Sequence, residues 1–125
     1  MHYIDLHVHS RYSILDALPS PEAIAIRTAE LGRTAVALTD HGVMYGIIDF
    51  YHACEKSGVK PILGCELYVA PISIQDKSPS DRYDHLVALA ETNEGFKNLQ
   101  NLCSEGFTSG GMYYGKPRVD DELLK

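Results

Sequence analysis

The run Thr34-Ala35-Val36-Ala37-Leu38-Thr39 is the feature that most narrows what this chain can become. An apolar, β-branched stretch without polar alternation makes a strand buried on both faces, and such strands belong to parallel sheets flanked by helices. It stops at Asp40-His41-Gly42, so chemistry-bearing side chains stand directly at the end of a buried strand. Neighbouring segments fit the same plan. Residues 2–9 alternate Ile4, Leu6 and Val8 against Asp5, His7 and His9, which predicts a strand with both histidines on one side. Ser20 as N-cap, Pro21 in the first helical position and Glu22 in the first turn predict a helix that Gly32 ends. A second helix is expected over residues 45–57, with Ile47, Ile48, Tyr51 and Cys54 facing inward and Gly58 just beyond it. A strand over 60–69, a loop over 71–82 and a strand over 85–90 follow. Thr92 then caps a helix over 93–104, carrying Phe96, Leu99, Leu102 and Cys103 and stopped by Gly106. The remainder is expected to be a Gly-rich loop and the start of a helix at Asp120.

This alternation predicts an α/β fold around a parallel sheet, doubly wound or closed into a barrel. Two features favour the barrel: candidate chemical residues recur at successive strand ends, and no Gly-rich phosphate loop is present. A complete barrel of this type takes about 200 residues or more. The 125 residues here therefore amount to roughly the first half, a single partial domain over 1–125. Half a barrel leaves strand edges and apolar faces unpaired, so a homo-oligomer or swapped assembly is expected.

Hydrophobic residues at 45% and charged residues at 22% match an ordinary globular domain and exclude a disordered, collagen-like or coiled-coil chain. No apolar run approaches the roughly 18 residues that span a bilayer, and residues 1–5 carry no secretion signal, so a cytoplasmic location without a membrane partner is expected. Cys54, Cys65 and Cys103 form no Cys-Xaa-Xaa-Cys pair and read as reduced thiols. Acidic residues outnumber basic ones by 17 to 11, a net charge of -6, which supplies no cationic footprint for gripping nucleic acid. Bound divalent cations would be needed to invert that field.

Candidate ligands for such cations end five segments: His7 and His9, Asp16, Asp40-His41, Glu66, and His85. His-Xaa-His on a strand places both imidazoles on one face, two residue rises apart. Mixed imidazole and carboxylate donors suit zinc, manganese or iron, whereas magnesium prefers oxygen. Glu66 is the natural bridge, since a carboxylate can hold two ions near 4 Å apart, the spacing used in phosphoester hydrolysis. Asp40 is expected to orient His41, and Arg11, in the loop between His9 and Asp16, to contact a substrate phosphate. Cys65 should face the helical layer, opposite to Glu66. His2 and His52 are kept out of the site, and Asp81 and Asp84 are expected at the surface. Tyr113, Tyr114, Lys116 and Arg118 are expected to form a loop that packs its tyrosines on a neighbour rather than a base-stacking surface.

These segments also carry a family resemblance. Leu6-His7-Val8-His9-Ser10, Ser13-Ile14-Leu15-Asp16, Leu38-Thr39-Asp40-His41-Gly42, Lys60-Pro61-Ile62-Leu63-Gly64-Cys65-Glu66 and His85-Leu86-Val87-Ala88-Leu89-Ala90 resemble the polymerase and histidinol phosphatase (PHP) domain. Asn93-Glu94-Gly95-Phe96-Lys97-Asn98-Leu99 and Tyr113-Tyr114-Gly115-Lys116-Pro117-Arg118-Val119 resemble the PHP region that opens bacterial DNA polymerase III alpha subunits. The resemblance implies a distorted (β/α)7 barrel with up to three divalent ions. His7, His9 and Glu66 would hold the first, Asp16 and His41 the second, and His85 the third, with Glu66 bridging. It further implies metal-dependent phosphoester hydrolysis, in some polymerases 3′ to 5′ exonuclease proofreading, with DNA and other replisome subunits as partners of the whole polymerase. Other polymerases keep the domain as a non-catalytic support and docking module, and stand-alone relatives act on histidinol phosphate. The family pattern continues with a further His or Cys ligand and a late Asp-Xaa-His pair, and no histidine follows His85 here. The isolated chain is therefore expected to be a weak hydrolase at best.

Overall fold

The computed structural model describes residues 3–78 and 83–125, so the readings of His2 and Asp81 lie outside the described residues. Strand β1 (Ala35–Leu38) is buried at every position, as its uniform apolar character requires. It pairs in parallel with β2 (Lys60–Val69), Ala35 opposite Lys60 and Leu38 opposite Leu63. The expected strand over 2–9 is not formed as a regular ladder. Asp5 bridges Val36 in parallel, and the N–H groups of Ala37 and Thr39 donate to Asp5 O and Val8 O. At Val8 the Thr39 hydroxyl takes the backbone's place, accepting from Val8 N at 3.0 Å and donating to Val8 O at 3.1 Å. The Thr39 hydroxyl thus serves as the acceptor for Val8 N where a backbone carbonyl would stand in a ladder, and the segment follows β1 without completing the pairing.

Helix α1 (Pro21–Glu30) begins as its sequence dictates: Ser20 Oγ accepts from Ala23 N at 3.1 Å, satisfying one of the free N–H groups of the first turn. Helix α2 (Ile47–Ser57) ends at Gly58. Its inner face differs from expectation. Phe50 and Ala53 join Ile47 and Cys54 in the core, whereas Ile48 is 63% exposed and Tyr51 also faces out. Docking between α1 and the sheet rotates the buried stripe onto Phe50, the bulkiest apolar side chain of the helix. Ile24, Val36, Leu38, Phe50 and Cys54 form this first core cluster.

Strand β3 (Asp84–Leu89) pairs with β2 antiparallel, with Tyr68 opposite His85 and Glu66 opposite Val87. The sheet is parallel-rich as expected, and β3 is its antiparallel exception against β2. A parallel return needs a crossover, usually a helix, and the intervening segment provides none among its described residues. Helix α3 (Asn93–Thr108) starts at Thr92, whose hydroxyl accepts from Gly95 N at 3.0 Å. It runs through Gly106 instead of stopping there. That glycine lets α3 approach the backbone of Pro117, which an added Cβ would meet at 3.1 Å.

The tail is not a loose loop. Strands β4 (Met112–Tyr113) and β5 (Lys116–Val119) form a hairpin around Tyr114 and Gly115, both at positive φ, and β5 adds to β2 in parallel. Arg118, fully buried, donates to the carbonyls of Asp76 at 2.7 Å and Ile74 at 3.4 Å. Asp120 begins a turn rather than a helix, accepting from Leu123 N and Ile74 N. Cys65, Leu67, Leu99 and Val119 make the second core cluster between β2, α3 and β5.

Candidate metal centre

The parallel run of residues 5–8, β1 and β2 delivers His7, His9, His41 and Glu66 to one end of the sheet. His85 arrives by a different route. Because β3 is antiparallel, its first residues lie beside the last residues of β2, and cross-strand pairing sets His85 against Tyr68. Tyr68 is two residues beyond Glu66 and shares its face, so Glu66, Tyr68 and His85 point the same way.

One carboxylate oxygen is the focus. Glu66 is 5% exposed, and its Oε2 lies 2.6 Å from His7 Nε2, 3.0 Å from His9 Nε2 and 3.6 Å from His41 Nδ1. Asp16 Oδ2, from the loop after His9, lies 3.2 Å from His41 Nε2 and 3.9 Å from His9 Nε2. The rings of His9 and His41 stack at 4.3 Å, and His85 sits 5.3 Å from His41 between centroids. Among the described residues, three groups have donor atoms within 4.8 Å of one another: His7, His9 and Glu66; His9, Asp16 and His41; and His41, Glu66 and His85. The six residues singled out in the sequence as ligands are therefore brought together, with His9, His41 and Glu66 each shared between two of the groups.

Three observations bear on whether cations fit. Ligand atoms about 2.0–2.2 Å from one ion sit roughly 3–3.5 Å from each other; the His9–Glu66 and Asp16–His41 separations of 3.0 and 3.2 Å lie in that range, and the others fall on either side of it at 2.6, 3.6 and 3.9 Å. His41 Nδ1 is buried with no hydrogen-bond partner, which is costly unless a lone pair on that nitrogen meets a cation. Burial, reinforced by the neighbouring His41, lowers the pKa of His9 and keeps its imidazole neutral with a lone pair to offer. The donor set fits divalent ions.

Asp40 does not touch the His41 ring, contrary to expectation. Its buried carboxylate accepts from Ser10 N, Ser10 Oγ and Ser13 Oγ, each at 2.7 Å. Ser13 Oγ in turn accepts from His41 N at 3.1 Å and lies 3.4 Å from His9 Nδ1. Asp40 thus staples the loop carrying Asp16 onto β1 and positions the histidines through Ser13. Arg11 is also misplaced by sequence reasoning. It lines a separate cleft together with Glu22, Asp49 and Glu55 and is not among the residues lining the cleft beside the cluster.

Cys65 faces the second core as alternation requires, its thiol donating to Asp40 O at 3.3 Å. A hydrogen bond with Cys103 and burial hold that thiol protonated. His52 stays on the surface of α2 beside Glu55, and Asp84 is exposed. Tyr68 was missed, and Lys116 was expected only as part of a loop that packs its tyrosines on a neighbour. Tyr68 was legible by its spacing from Glu66, whereas Lys116 reaches the cluster only through the hairpin. The Lys116 ammonium donates to Tyr68 Oη at 3.2 Å, and that bond raises its pKa and keeps it charged.

Residues 5–125 match the PHP domain. The chain belongs to the PHP domain family. Relatives of this PHP domain include the DNA polymerase III subunit alpha of Treponema pallidum, 49% identical over 99% of this chain and 11% of that protein. That of Chlamydia muridarum is 47% identical over 100% and 10%, and that of Helicobacter pylori 40% identical over 98% and 10%. The chain spans about a tenth of the length of these curated relatives. Among solved structures, one described as a metal-dependent phosphoesterase of Bifidobacterium adolescentis superposes with a TM-score of 0.61 at 22% identity, covering 84% of this chain and 33% of that one. An amidohydrolase of Chromobacterium violaceum with bound sulfate and no metal gives 0.57 at 24% identity, covering 88% and 40%. These likenesses establish the α/β fold of the PHP domain, with its parallel-rich sheet. Among the described residues, no helix is long and apolar enough to cross a membrane.

Proposed function

We propose that this chain is the N-terminal portion of the PHP domain of a replicative DNA polymerase. Its His7, His9, Asp16, His41, Glu66 and His85 hold divalent ions for phosphoester hydrolysis at a DNA 3′ end. The observation that carries this reading is the convergence of three imidazole nitrogens on Glu66 Oε2. Such ions, when bound, supply positive charge to a phosphate and acidify water. The residues contribute the rest. Glu66 brings an anion shared between two donor groups, His9 stays neutral, and Asp16 stands at the solvent side where substrate enters. Ser13 and Asp40 fix the His9–His41 pair so that ligand geometry does not depend on a mobile loop.

The similarity to DNA polymerase III alpha subunits over nearly the whole chain favours DNA, with replisome subunits as partners. The match to only a third of the phosphoesterase chain supports a partial barrel, and β3, which among the described residues pairs with β2 alone, suits a homo-oligomer. Exonuclease activity of the full-length polymerase, measured with and without His9→Ala, tests the hydrolytic reading. A loss of at least about 100-fold is expected for the removal of a metal ligand. Equal activity in both proteins would leave a bracing and docking module in its place.

A further inference from the structure

A cleft of about 510 Å³ opens beside the donor cluster, its lining including Asp16, His41 and His85 together with Tyr12, Tyr45 and Lys116. Its size is within the range of small-ligand sites. Lys116 is the one Lys or Arg among the described residues that line it. The chain carries a net charge of -6 and Asp16 adds an anion at the cleft, so an entering phosphate has a single fixed side-chain cation to meet.

That cation is held in place. The Lys116 backbone pairs with Tyr113 in the hairpin, and its Nζ donates to Tyr68 Oη at 3.2 Å while lying 5.0 Å above the Tyr68 ring. The Tyr68 ring stacks at 5.6 Å and 12° on His41, so the ammonium stands one ring away from the ligand cluster. An ammonium has three N–H donors, and the bond to Tyr68 uses one, leaving two for an incoming acceptor.

We propose that Lys116 is the phosphate-gripping residue of this site, donating to a non-bridging oxygen of the substrate while Tyr68 fixes its ammonium. The proposal rests on the hydrolytic reading above, and it gives Lys116 the role that the sequence had suggested for Arg11.

The test uses dTMP as probe and the purified chain with zinc or manganese, reading affinity by calorimetry, metal content by elemental analysis and folding by thermal melt. A hydrogen bond from a charged donor is worth about ten- to a hundredfold in affinity. Lys116→Met is expected to weaken dTMP by that factor with metal content unchanged. Lys116→Arg should restore most of the affinity, and Tyr68→Phe should lose part of it. If Lys116→Met melts early, Tyr68→Phe, which keeps the stacked ring, decides the matter. Undiminished dTMP binding in these variants overturns the proposal, as does wild-type protein that fails to bind dTMP at millimolar concentration. Metal loss in parallel with affinity also overturns it, since Lys116 would then be serving the cluster and not the phosphate. A wild-type chain that binds dTMP through Lys116 but takes up no metal supports the phosphate role and defeats the metal reading separately.

Discussion

Replacing Glu66 with glutamine probes the heart of the cluster while disturbing the fold least. The substitution preserves shape, and the backbone pairing of residue 66 with residues 40 and 42 does not involve its side chain. What changes is one oxygen, which belongs to two of the three donor groups. A neutral amide is a poor cation ligand, so both groups fail and only His9, Asp16 and His41 keep their full set. The expected stoichiometry falls from three ions to one. At metal concentrations 100-fold above Kd, each site stabilises the fold by about 2.7 kcal/mol, so two lost sites remove about 5 kcal/mol. For a chain of this length each kilocalorie moves the melting midpoint by roughly 4 °C, which makes the missing metal-induced shift roughly 20 °C. The metal-free variant should melt no lower than metal-free wild type, because a buried carboxylate has been removed. Elemental analysis after gel filtration and paired melts with and without metal measure these quantities. Wild-type stoichiometry and a wild-type shift in Glu66→Gln would refute the reasoning.

Other expectations concern the scaffold. Gly106→Ala presses a Cβ against Pro117 backbone and should destabilise the metal-free chain by about 1–3 kcal/mol in urea titration, since α3 must separate from β5. Burial opposes ionisation of Asp120, but N–H donors from Ile74 and Leu123 prevail and hold its pKa below the usual carboxylate value. Its contribution is therefore present above pH 3.8 and lost as pH falls below it. Asp120→Ala should cost about 1–3 kcal/mol near neutrality and flatten that acid limb of the stability curve. Burial pushes the Cys54 thiol from 9.0 up to about 11, so stability should be whole below pH 9.0 and decline as pH rises towards 11, the unfolded thiol ionising first. The loss from this thiol is roughly 3 kcal/mol, and Cys54→Ala should make the alkaline slope shallower by that amount while leaving the part due to the buried Cys65 thiol.

Much of the fold was legible because local chemistry and tertiary demand agree. Ser20 and Thr92 cap the helices they were expected to cap, and the apolar run at 34–39 forms the buried strand beside residues 60–69. The six ligand candidates were legible as histidines and carboxylates set beside apolar runs, although Glu66 lies inside β2 and His85 near the start of β3. The parts that escaped depend on partners distant in sequence. Nothing local to residues 84–89 reveals their antiparallel direction, which goes with a connection that holds no crossover helix among its described residues. Asp40 beside His41 suggested a direct contact, but the two serines of the preceding loop reach the carboxylate first. Gly106 resembled a helix stop until the hairpin placed Pro117 against it. Lys116 and Arg118, two residues apart, part company because one lies on the cleft and the other satisfies buried carbonyls.

Crystals grown with manganese, with anomalous differences collected at its absorption edge, test the central claim most directly. The expected map contains peaks about 2.0–2.3 Å from donor atoms of His7, His9, Asp16, His41, Glu66 and His85, at least one of them shared through Glu66 Oε2. A map with no peak among these six side chains, or with ions bound elsewhere on the protein, would contradict it.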